Sequence, residues 1–262
     1  MPSQPRYTGP PSYPMPPRWG FSRLGWRWPA PEIGPAVSSV EQMRGLAATA
    51  VPLLGLTALL MLATAGAELW RYALLLASRT DAVAAGPLHA SDALVITGGV
   101  ISLLAGILAG GVTVGWLIRA CTVAARAVNV TPARRPWQLV AGVLVPGVNL
   151  LVPGAVLAEL EHAALGRDPG RRPHPSRLVL GWWAIWVAGL VLVAVTMLWN
   201  LRDGVQARAD GVLLHAATDL VAAGVAIATI VVVRRLTRLL SPANLIATRR
   251  MVVVRVPDGT HP

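Results

Sequence analysis

Lysine is absent from this chain, and all 23 of its basic residues are arginine. Cysteine occurs once, at Cys121, which excludes an intramolecular disulfide and a cysteine-built metal centre; the thiol reads as an incidental packing residue. Charge is scarce as well, at 13% of 262 residues, where a soluble domain carries about 25%. The first forty residues lack the apolar core of a cleavable secretion signal, so none is expected. GxSxG, HExxH and phosphate-loop patterns are all missing. No catalytic residue, metal or cofactor is therefore expected, and the chain reads as non-enzymatic.

What is present is apolar: 54% hydrophobic residues and a mean hydropathy of +0.56. Long uncharged runs concentrate that excess, which defines a polytopic membrane protein. Arginine-only usage beside abundant Ala, Val and Gly fits a high-GC bacterial coding bias. The net charge of +11 raises the question of nucleic acid. However, the arginines flank apolar runs instead of forming one basic domain. Anionic lipid headgroups, with membrane proteins as further partners, are the expected counterparts, and nucleic acid is not.

Residues 1–40 hold ten of the 22 prolines, including PPSYPMPP, and are expected to form a disordered cytoplasmic tail. Its end, RWGFSRLGWRWP, interleaves tryptophan with arginine as a membrane-surface segment does. Residues 41–240 form the membrane domain, and 241–262 a second cytoplasmic tail in which MVVVRV is a short potential strand. Four runs reach the about 20 residues that a bilayer crossing needs: about 46–67, 93–118, 178–199 and 211–233. A fifth, 139–157, contains GVLVPGVNLLVPG.

Arginine distribution decides the status of that fifth run. If it crossed, ten arginines beyond it would face outward, against the positive-inside bias. If it turns back, nineteen of the 23 lie on the cytoplasmic side. Backbone chemistry agrees. Pro146 and Pro153 have no N–H, which strands the carbonyls of Gly142 and Asn149, and each proline is followed by glycine. The Asn149 amide can donate to such carbonyls. The expected fold is therefore all-α integral membrane. It has four transmembrane helices, a broken re-entrant helix pair at 139–157, and a surface helix near 156–165. Both termini then lie on the cytoplasmic face of the plasma (inner) membrane. Trp116, Trp137, Trp182 and Trp183 fall at that boundary and Trp70 and Trp199 at the other, as an aromatic belt would.

Three polar or small-residue patterns remain. Gly106, Gly110, Gly111 and Gly115 are spaced for close helix packing. His215 and Asp219 stand one turn apart in the last run, as an intramembrane polar pair suited to a proton or cation relay, or to locking the bundle. Glu159, Glu161 and His162 read as a solvated or interfacial helix face.

The combination VPGVNLLVP, AEL and GWWAIW resembles an actinobacterial family of multi-pass membrane proteins, domain of unknown function 4328. Val145, Pro146, Asn149, Leu150, Pro153, Glu159, Leu160, Gly181, Trp182 and Trp183 carry the resemblance, which covers roughly residues 119–199. Val152 and Glu161 stand where that family often has a bulky basic or aromatic residue and an aromatic one. The resemblance implies fold and location but no activity. It also marks Pro146, Asn149, Pro153 and Glu159 as the re-entrant motif. The leading expectation is a scaffold or regulatory component of a membrane complex. A small transporter or channel subunit using the hairpin and the His215/Asp219 pair is the alternative, although no inverted repeat is visible.

Reporters fused at Arg171 and at the carboxyl end test the arginine argument. Both should signal from the cytoplasm of intact cells, and an exterior signal from either overturns the topology.

Overall fold

The computed structural model describes residues 35–241, apart from 79, 81–83, 128–129, 169 and 203. Residues 1–34 of the proline-rich tail, with the RWGFSRLGWRWP segment, and MVVVRV lie outside the described residues, while residues 35–40, expected to be disordered, instead open the first helix. Six helices follow one another: α1 (Pro35–Ala77), α2 (Ala85–Ala127), α3 (Pro136–Leu144), α4 (Val148–Ala164), α5 (Arg177–Trp199) and α6 (Val205–Leu240). No strand occurs among the described residues. Helices α1, α2, α5 and α6 are long and apolar enough to cross a membrane. Each contains one expected span but overruns it; α1 and α2, at 43 residues apiece, are each about 65 Å long. Helix α1 continues past Glu68 and Arg71, and α2 already includes Asp92, so all three stand on helices.

The four long helices alternate in direction. Helix α1 packs along α2 and α6, and α5 packs along α6. One end is closed. There Met43 and Ala47 of α1, Trp116 and Ala120 of α2, Trp182 of α5 and Leu236 of α6 enclose Leu139, Val156 and Leu160 of the short helices. Cys121 packs against this core, as a packing residue does. Arg44 Nε donates to Ser241 Oγ at 2.9 Å, and Arg126 donates to Ser39, which ties helix ends together on the same side.

Small residues let the long helices approach one another, at two of the four glycines that the spacing singled out and at others that it did not. A Cβ added at Gly106 would lie 3.8 Å from Thr57 and one at Gly115 3.9 Å from Leu46, so these two face α1. Gly110 and Gly111 are exposed, with open space above them. A tighter approach falls at Gly98, where an added Cβ would sit 2.8 Å from Thr64 Oγ1. Ala109, Ala58 and Ala223 complete the narrow seam between α1, α2 and α6.

Helices α3 and α4 form a hairpin. Pro136 opens α3 at a position where the missing N–H is unneeded. Pro146 then ends it, and Gly147, at φ +83°, makes the turn in a region that side chains disfavour. Gly142 on α3 meets Val152 on α4, so the two arms touch. The hairpin leaves α2 and delivers the chain to α5 at one and the same end of the bundle.

Two expectations are corrected here. The chain breaks once, at Pro146, and not again at Pro153. Helix α4 runs through Pro153 to Ala164, so no separate surface helix begins near residue 156. The reason lies on α5. Trp186 Nε1 donates to the stranded Asn149 carbonyl at 2.9 Å, and Trp183 Nε1 donates to the Leu150 carbonyl at 2.6 Å. Indoles, and not the Asn149 amide, are the donors to these carbonyls.

The tryptophans near the closed end are accordingly not a simple belt. Trp116 Nε1 donates to Thr237 Oγ1 at 2.9 Å and Trp182 Nε1 to Thr229 Oγ1 at 2.8 Å, both from buried rings. Trp182 also stacks on Trp186 with centroids 5.4 Å apart. Trp137 and Trp70 are exposed, as belt residues are.

Gly154 gives this contact a sharp test, because an added Cβ would lie 2.5 Å from Trp183 Cδ1. Gly154→Ala should displace the indole and lower stability in detergent by about 1–3 kcal/mol. Gly110→Ala, which meets open space, should leave it unchanged or slightly raised. Chemical denaturation of the two variants side by side reads the difference.

Candidate functional site: a closed ionic end and an open polar cavity

Polar groups gather at both ends of the bundle. At the closed end, Glu159 accepts two hydrogen bonds from Arg134, the Nη2 to Oε1 one at 2.9 Å. Arg134 lies in the segment between α2 and α3, so the pair clasps that segment to α4. Glu161 is only 1% exposed. Its Oε2 accepts the Ser176 backbone N–H at 3.0 Å, just before α5, and its Oε1 lies 2.9 Å from Arg235 Nη2 of α6. His162 is buried, with Nε2 2.9 Å from the Asp168 carbonyl. The expected solvated face is therefore half wrong. Glu159 is partly open, but Glu161 and His162 point inward, because α4 is wedged between α2, α5 and α6.

At the other end the helices part around a cavity of about 940 Å³. His215 and Asp219 both line it from one face of α6, as their spacing requires. His215 Nε2 lies 3.5 Å from Asn200 Nδ2, at the end of α5. Across the cavity stands Glu68 of α1, which the sequence reading passed over; it is 6% exposed, and its Oε2 has no hydrogen-bond partner among the described residues. Arg71, one turn on, pairs with Asp92 at 3.2 Å, and Arg202 lies 4.4 Å over the Trp199 ring. The signal for Glu68 was its position: an acidic residue followed by LWRYALLLA, an apolar stretch that keeps the helix going.

Pro146, Asn149, Pro153 and Glu159 belong to the closed end and His215 and Asp219 to the cavity, so the structure does not join them into one site. Of the four glycines, Gly106 and Gly115 serve the α1–α2 seam.

An all-helical bundle with four helices fit to cross a membrane, a proline-broken hairpin and one large polar cavity defines a membrane protein. The chain belongs to the family described as "Domain of unknown function (DUF4328)", whose model matches residues 79–238. That match takes in α2 to α5, the hairpin and most of α6, and leaves α1 with Glu68 outside it. No curated protein matches the chain, and no solved structure does.

The Glu161–Arg235 pair can be weighed directly. Arg235→Gln leaves a buried carboxylate with one backbone donor, and should cost about 2–3 kcal/mol. That is less than a fully enclosed pair, because the guanidinium is 40% exposed. Adding Glu161→Gln should recover part of the loss in a double-mutant cycle; strict additivity would show that the pair is not coupled.

Proposed function

We propose that this chain is a non-enzymatic four-span membrane protein that binds a small polar solute in its open cavity, as a transporter or channel subunit does. The cavity carries this reading. Its volume of about 940 Å³ falls within the about 300–1,000 Å³ usual for small-molecule sites. Ionisable side chains inside apolar spans are costly and are retained where water or a ligand meets them. The hairpin dips into the membrane and returns to the face it left. Supporting this are its shared end of departure and return, and its exposed apolar tip of Leu144, Val148 and Leu151, which suits lipid. Both termini and the arginine-rich closed end then face the cytoplasm, against anionic headgroups of the plasma membrane, and the cavity opens outward. Actinobacterial origin accords with the arginine-only composition.

The scaffold reading has one observation of its own. Gly110 and Gly111 are exposed on α2 beside Ile107 and Leu108, which leaves room for a partner helix.

Gly99 lines the cavity and an added Cβ there meets open space, so Gly99→Trp sets a bulky ring at the site. In vesicles reconstituted with the full chain, one or more of radiolabelled methylamine, acetate and glucose should equilibrate faster than in protein-free vesicles. Gly99→Trp and Asp219→Asn should each reduce that increment. Equal rates for all three probes with and without protein would defeat the solute reading.

A further inference from the structure

We propose that the solute is a small organic cation, a protonated amine or guanidinium, held between Glu68 and Asp219; this rests on the reading of the cavity as a solute site. The polar wall carries two carboxylates and two hydroxyls beside arginine, histidine and asparagine side chains. Glu68 projects into the cavity from α1, nine-tenths buried, with Oε2 unpartnered among the described residues. Asp219 lines it from α6, half-buried. Two hydroxyls beside them have already spent their protons: Thr64 Oγ1 donates to the Leu60 carbonyl at 2.9 Å and Ser102 Oγ to the Gly99 carbonyl at 3.1 Å. Their oxygens can then only accept.

The cationic side chains of the wall are engaged elsewhere. Arg71 reaches across to Asp92, and the Arg202 guanidinium rests on the Trp199 ring. His215 sits nearer the mouth, in contact with Asn200. Arg71 stands one turn from Glu68 but spends its close contact on Asp92, so Glu68 Oε2 has no direct hydrogen-bond donor among the described residues, and a ligand with N–H donors and positive charge completes the site. An inorganic ion would leave most of the space empty. The remaining wall, from Met61, Val95, Ile96 and Leu103, is apolar and suits a carbon skeleton.

The test uses the full chain in lipid nanodiscs, titrated calorimetrically with n-butylammonium, neutral n-butanol and anionic butyrate. Butylammonium should bind and the other two should not. Glu68→Gln and Asp219→Asn should each weaken its affinity about tenfold or more. Glu41→Gln, on an exposed residue at the opposite end of α1, should leave it unaltered. Should Glu68→Gln fail to fold, Asp219→Asn on its half-buried side chain decides the matter alone. If butanol or butyrate binds as well as butylammonium, and Gly99→Trp blocks that binding, the cation assignment is overturned while the solute site stands. If no probe binds, or Gly99→Trp leaves binding intact, both fall.

Discussion

A buried carbonyl without a hydrogen-bond donor is costly, and the proline-broken hairpin answers to that constraint. Proline removes an N–H and leaves a carbonyl without its helical partner; in lipid such a group costs several kcal/mol. Here Pro153 strands the Asn149 carbonyl, and an indole N–H from the neighbouring α5 takes its place. A second indole reaches the next carbonyl, and Gly154 provides the clearance for its ring. Helix α4 stays continuous because its defect is repaired from outside. The repair also fixes where α5 must stand relative to the hairpin, and through Trp182 and Thr229 where α6 must stand.

The two ends of the bundle then differ in kind. Around the hairpin, buried rings and aliphatic side chains fill the space, and each acid on α4 has found an arginine. Away from it no such plug exists among the described residues, and α1, α2, α5 and α6 enclose a polar space. The bundle is packed at one end and open at the other. The packed end positions the helices, while the open end keeps groups that packing would otherwise exclude.

Much of the fold was legible in order along the chain. Long apolar runs mark the four spans, and Pro-Gly pairs mark an interruption between the second and third. His215 and Asp219 could be placed on one face from their spacing alone. Glu68 could not be coupled to them, since it lies about 150 residues away and no local pattern records which helix faces which. The inward turn of Glu161 was hidden for the same reason. An acidic side chain is ordinarily solvated, and Arg235 and the Ser176 N–H make its burial tolerable here.

By itself the sequence determined which segments are apolar enough to leave water and where proline removes a helix hydrogen bond. These follow from side-chain transfer free energies and from the chemistry of proline, and both are local. Tertiary structure alone decided that Pro153 would not break its helix, that Gly98 and not Gly110 would meet a neighbour, and that Glu68 would share a cavity with Asp219. Each of these depends on atoms brought together from distant parts of the chain, where a donor, a gap or a counter-charge supplied by one helix changes what another can bear.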